Sequence, residues 1–132
     1  MKKIVLTIAF FLLSIISFGQ TQSEMNEEEN QKYLQADKEL NEVYLKIMKE
    51  YKHDVEFIAN LKISQNYWIK FRDAEMNAIF PKKDKMLNYG SVFPMCWSIQ
   101  LTKLTKERTE TLKKWLKGVE EGDLCSGSIK IK

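Results

Sequence analysis

The sequence predicts an all-α protein: a small antiparallel bundle of about three amphipathic helices after a signal peptide. Two observations carry that prediction. Apolar residues recur at three- and four-residue spacing over three long stretches, which is the period of a helix with one buried face. Proline and glycine fall at the ends of those stretches and not inside them, so each helix can run uninterrupted once it has begun.

The N-terminus reads as an export signal. Lys2 and Lys3 form a positive segment and Ile4 to Ile16 is an almost unbroken apolar run. Ser17-Phe18-Gly19 sets small residues three before and one before a cut ahead of Gln20, the pattern a signal peptidase requires. The apolar run is shorter than the ~20 residues of a membrane-spanning helix. No cysteine stands at the cut to take a lipid. The expected organisation is a signal peptide over 1–19, a helical domain over 20–118 and an irregular tail over 119–132. The processed chain is then periplasmic or secreted, with no membrane span.

Thr21-Gln22-Ser23-Glu24 fits a capping box at the start of the first helix of the domain. Tyr33, Ala36, Leu40, Val43 with Tyr44, Ile47 and Tyr51 mark its inner face. Glu27, Glu28 and Glu29 lie in its first turns, where the helix dipole favours negative charge. His53-Asp54 breaks the pattern, and Asp54 is placed to cap a second helix. Phe57, Leu61, Trp68, Phe71 and Ile79 define that helix's face, which stops before Pro81 because residues preceding proline avoid the helical region. Residues 81–93 are polar and turn-rich and read as an exposed loop. Pro94 suits the first turn of a third helix, with Trp97, Leu101, Leu104, Leu112 and Trp115 facing inward. Gly118 is placed to end it. The tail beyond, with Gly122, Gly127 and alternating Ile129 and Ile131, reads as irregular or frayed. Amphipathic helices with short connections bury their stripes on one another, hence the bundle.

Charge excludes some functions. The formal net charge of the whole chain is +3, and removal of Lys2 and Lys3 takes two of those charges away. A nearly neutral exported domain gives no reason to invoke nucleic acid. Cys96 and Cys125 are the only cysteines. An oxidising compartment favours a disulfide between them, but geometry opposes it. A helix from Cys96 to Lys117 rises roughly 31 Å, and the tail to Cys125 spans at most about 28 Å fully extended.

No cofactor is implied and no catalytic machinery is apparent. His53 is the only histidine and lacks a companion ligand at helical spacing. Nucleophile-elbow, dinucleotide-binding and phosphate-loop motifs are absent. Glu120 and Glu121 lie in a solvated tail, where nothing shifts a carboxylate toward acid–base work. The chain therefore reads as a non-enzyme. Arg72-Asp73 is the notable charged pair, beside Trp68 and Phe71. Neighbours on a helix point about 100° apart, so each is expected to pair across the bundle. Arg108, one turn beyond Leu104, is the expected partner of Asp73, in a structural ion-pair network.

The run Tyr33-x-x-Ala36-Asp37-x-x-Leu40-Asn41-x-x-Tyr44, then Gln65-x-x-Trp68-Ile69-x-Phe71-Arg72-Asp73, resembles the N-terminal domain family of LprI-type lysozyme inhibitors. So do Gly90-Ser91, and Cys96 followed by Leu101-Thr102-x-x-Thr105-x-x-Arg108-x-x-x-Leu112. The resemblance spans roughly residues 22–117. It implies a small exported helical protein that binds a protein partner, with lysozyme as the best-known target. By the same resemblance Trp68, Phe71, Arg72, Asp73, Gly90, Ser91 and Arg108 are family-motif residues of structural character. Family members commonly carry a cysteine near the start of the first helix and another just after the Arg-Asp pair. Here Glu27-Glu28-Glu29 and Glu75-Met76 stand in those places.

Two functions follow from these observations. One is an exported envelope protein that blocks lysozyme. A lysozyme cleft holds two catalytic carboxylates, and Lys82, Lys83 and Lys85 on the long loop are the candidate contacts. The other is a structural or interaction module of the cell envelope with a different protein partner, which requires an exposed apolar patch.

Overall fold

A computed structural model describes the backbone of residues 2–132 and the side chains from Thr21 to Lys132. The elements are α1 (Lys2–Glu50), α2 (Val55–Ile79), α3 (Lys85–Tyr89) and α4 (Phe93–Lys117). The expected all-α bundle is present. The signal-peptide assignment falls on 1–19, whose side chains lie outside the described residues. Thr21 to Glu24 do not open a helix here, because α1 already runs from Lys2 through them.

Local chemistry sets most of the boundaries. α1 closes at Tyr51, whose amide donates to the Ile47 carbonyl at 2.9 Å. Asp54 then caps α2, its side chain accepting from the Phe57 amide at 2.9 Å. Pro94 lies in the first turn of α4, and Gly118 ends it at φ 73° with its amide on the Lys114 carbonyl. The segment 81–93 differs from expectation. It holds the extra helix α3, because Asp84 caps one turn by accepting from the Leu87 amide at 2.9 Å.

The chain runs up, down and up. Asn26 of α1 meets Ser91 at one end, and Tyr51 meets Trp115 at the other, so α1 and α4 are parallel and α2 opposes both. α1 and α4 form the closest helix pair. Small residues on their buried stripes allow that approach: Ala36 on α1, and Ser98, Thr105 and Thr109 on α4. Leu40, Ile47, Leu61 and Leu112 make the core, with Phe57, Trp68, Tyr51 and Trp115 packed around it.

The inner face of α2 is the expected one at Phe57, Leu61 and Trp68, which lie in or against the core, but not at Phe71 and Ile79. Leu61 is buried, but Phe71 is 56% exposed and Ile79 40%. The inward row is Leu61, Gln65, Trp68, Arg72 and Met76, in which Gln65 is buried and the Arg72 side chain keeps only 16% of its surface. On α4 the threonines take core positions in the same way. Thr109 satisfies its hydroxyl on the Thr105 carbonyl at 2.9 Å, whereas the Thr105 hydroxyl has no partner.

The tail holds no helix and is docked against the bundle. Val119 and Ile131 form an isolated parallel bridge, with Val119 N donating to Lys130 O and Lys132 N to Val119 O, both at 2.9 Å. Trp115 Nε1 donates to Ser128 Oγ at 3.0 Å, and Lys130 Nζ lies 3.1 Å from Glu50. Gly118 permits the close approach, since a Cβ there would lie 2.8 Å from the Lys130 carbonyl. Cys96 and Cys125 are free; Cys96 lies in the first turn of α4 and Cys125 in the tail beyond its last turn.

Candidate functional site

The end of the bundle beyond α2 carries the loop with the three candidate lysines, and it is braced from several sides. Phe80 follows α2 as its C-cap, with its amide on the Met76 carbonyl at 3.0 Å. Its ring packs edge-on to Tyr89 and to Phe93, each at 5.3 Å, and lies 5.8 Å from Trp97. The Tyr89 hydroxyl accepts from the Lys82 amide at 3.3 Å. Asn26 of α1 reaches in to donate to the Ser91 carbonyl at 3.1 Å. Gly90 closes α3 at φ 74°, a conformation suited to glycine, and its carbonyl accepts from the Phe93 amide.

This bracing separates the lysines. The Lys85 ammonium donates to the Phe80 carbonyl, so it serves the loop itself. Lys82 and Lys83 are exposed. Beside them α3 presents Met86, 53% exposed, and Leu87, 82% exposed. The loop therefore offers two ammonium groups next to an apolar tip on a rigid frame. One sequence signal marks that tip, a Met-Leu pair within the first turn after the cap residue Asp84.

The family-motif residues divide between two places. Trp68, Arg72 and Asp73 cluster on α2. Arg72 lies over the Trp68 ring, 5.5 Å from its centroid, and its Nε and Nη2 both donate to Asp73 Oδ1 at 2.9 and 2.8 Å. The adjacent residues thus pair with each other, contrary to expectation. The long guanidinium arm lies along the inner face and turns back outward, which bridges the angle between neighbouring positions. Arg108 does not meet Asp73. It donates to Gln65 Oε1 at 3.0 Å and to Ser64 Oγ at 3.1 Å. Antiparallel packing places it level with residues 64 and 65, and Asp73 lies about 12 Å further along the axis at 1.5 Å per residue. Phe71 points outward, while Gly90 and Ser91 belong to the braced loop.

Burial shapes two nearby titrations. It pushes the Tyr33 phenol up, with the Arg72 guanidinium working against that rise. It also lowers the Arg108 guanidinium. Between α1 and the start of α4 lies an open cleft of about 600 Å³, lined by Asn26, Asn30, Phe93 and Trp97 among others. Among the described residues, no three His, Cys, Asp or Glu side chains gather to hold a metal ion. No helix among them is long and apolar enough to cross a membrane.

A family model described as lysozyme inhibitor LprI matches residues 17–112. No curated protein and no solved structure matches the chain. The matched span covers α2, α3 and nearly all of α4, and it stops short of the docked tail.

Proposed function

The chain belongs to the LprI lysozyme-inhibitor family, and from that premise we propose that it is an exported envelope protein that inhibits lysozyme by binding, without chemistry of its own. The observation that supports this reading is the braced loop. Lys82 and Lys83 stand free in solvent while Lys85, Asp84, Tyr89 and Phe80 hold the backbone beneath them. A glycosidase cleft with two carboxylates attracts such a cation. A loop already fixed in shape loses little conformational freedom on binding. Met86 and Leu87 would then cover the apolar wall of the cleft and exclude substrate.

The test is turbidity clearing of bacterial cell walls by lysozyme in the presence of the purified protein. Inhibition is expected at micromolar excess. The double variant Lys82→Glu, Lys83→Glu should lose it without a change in melting temperature, since both side chains are exposed. Absence of inhibition by the unaltered protein refutes the proposal.

Export is part of the same reading, supported by the charge, the apolar run and the small residues of 1–19. Cleavage before Gln20 would cut α1 within its length and leave Thr21 to cap the new end, with Glu24 completing the box. Mass spectrometry should find Gln20 first, and a mature mass that includes Lys2 refutes cleavage. A second reading, an interaction module with another protein partner, is favoured by the exposed apolar face of α2, where Ile63, Tyr67 and Phe71 are each more than half exposed.

A further inference from the structure

α2 is apolar on two opposite faces, and only one is covered. At 100° per residue the inward row of Leu61, Gln65, Trp68, Arg72 and Met76 centres on one side of the helix. Glu56, Ala59, Ile63, Tyr67 and Lys70 fall within an arc of about 80° on the diametrically opposite side. All five are exposed, Ile63 at 53% and Tyr67 at 67%. Ile63, Asn66, Tyr67 and Lys70, spaced at three, four and seven residues, surround a shallow hollow of about 230 Å³. That is the four-residue hole into which a helix receives a side chain of a facing helix.

The order of residues along this seam identifies the helix that fits it. From Ile63 outward in one direction come Ala59 and then Glu56, and in the other Tyr67 and then Lys70. Each small or acidic residue thus has a large or basic counterpart at nearly equal distance on the other side of Ile63. Lys70 lies over the Tyr67 ring at 5.5 Å. Among the described residues no carboxylate pairs with it, and no cation pairs with Glu56.

We propose that the outer face of α2 is a self-association surface, on which a second copy of this chain packs antiparallel about a two-fold axis at Ile63. Ile63 then meets Ile63, Ala59 of each copy enters the hollow beside Tyr67 of the other, and Glu56 pairs twice with Lys70. The symmetry is the one expected of a closed homodimer. The seam is a single helix face of five residues, well short of the about 20–30 residues a side of a standard interface. The dimer is therefore weak, and its population rises with protein concentration. Its loops with Lys82 and Lys83 lie at opposite ends, roughly 50 Å apart from the helical rise. Lysozyme inhibition and self-association are thus separable, and either can fail alone.

Sedimentation velocity of the purified protein from about 1 μM to 1 mM tests this. Monomer at the low end and dimer at the high end are expected. Ile63→Asp should abolish the dimer with no change in melting temperature. Glu56→Lys and Lys70→Glu should each weaken it about tenfold, since each reversal sets two like charges across the seam. An equimolar mixture of those two variants should recover the dimer, because in a mixed pair every reversed side chain meets an opposite charge. Monomer throughout, a dimer indifferent to Ile63→Asp, or no recovery in the mixture would overturn the proposal. Binding of a different protein to this face without self-association would also overturn it.

Discussion

Replacing Tyr51 with phenylalanine should release the C-terminal tail while leaving the bundle folded. The Tyr51 hydroxyl donates to the Trp115 carbonyl at 2.8 Å and accepts from the Lys130 amide at 3.2 Å. It joins the end of α1 to the last turn of α4 and to the returning tail. The Trp115 carbonyl belongs to the turn of α4 that has no partner within the helix, and it is half-buried. Depriving it of a donor costs about 1 kcal/mol. The Lys130 amide is exposed, so water takes the place of the lost acceptor and adds a few tenths at most. The ring stays packed against Phe57, whose centroid is 4.9 Å away, so no cavity forms. The sum is about 1–1.5 kcal/mol, a fall in melting temperature of roughly 4–6 °C for a chain of this size. Urea unfolding gives the first number. Hydrogen exchange at the Val119 and Lys132 amides gives the local effect, with opening expected to rise about five- to tenfold. An unchanged melt together with unchanged exchange at both amides would show that the hydroxyl does not hold the tail.

Thr105 is fully buried with its hydroxyl unpartnered, so Thr105→Val, of the same shape, should stabilise the protein by about 1 kcal/mol in urea unfolding. A loss would mean that the hydroxyl is bonded. A double-mutant cycle on Asp73→Ala and Arg108→Ala should be additive, because the two side chains have different partners; a coupling above ~0.5 kcal/mol would refute the geometry. Within that cycle Arg108→Ala is the costly change, about 1–3 kcal/mol, since it leaves the buried Gln65 amide short of a donor. Burial raises the Tyr33 phenol above its usual value of 10.0. The unfolded chain therefore ionises first, and the contribution of Tyr33 is full below about pH 10 and lost as pH rises through the folded value. Tyr33→Phe should flatten that alkaline loss, and an unchanged pH dependence above pH 10 would place the phenol in solvent.

The sequence by itself determined the three long helices and where they stop. Asp54, Pro94 and Gly118 act on backbone groups within four residues of themselves, so their effect is readable without knowing the fold. The inner face of α1 was also legible, because Ala36, Leu40 and Ile47 form an unbroken apolar row. The exposed lysines at 82 and 83 followed from the turn-rich composition around them. The one-turn helix α3 went unread because its cap, Asp84, sits inside a segment that composition assigns to a loop.

Tertiary structure decided everything that depends on which residues of different helices stand level. Apolar spacing put Phe71 inside and passed over Gln65 and Arg72. The α2 stripe is instead set by what α4 offers opposite it, including Arg108 as a donor for Gln65. Arg72 could turn back to Asp73 because its long arm spans an angle that Cβ positions alone forbid. The brace under Lys82 and Lys83 gathers Phe80, Tyr89, Phe93 and Trp97 from the end of α2, α3 and α4. The tail clasp joins Tyr51 to Lys130 across 79 positions. Period and capping act over one or two turns of chain, whereas these contacts are fixed by the axial register of helices far apart in sequence. No local pattern encodes that register, which only the packed bundle supplies.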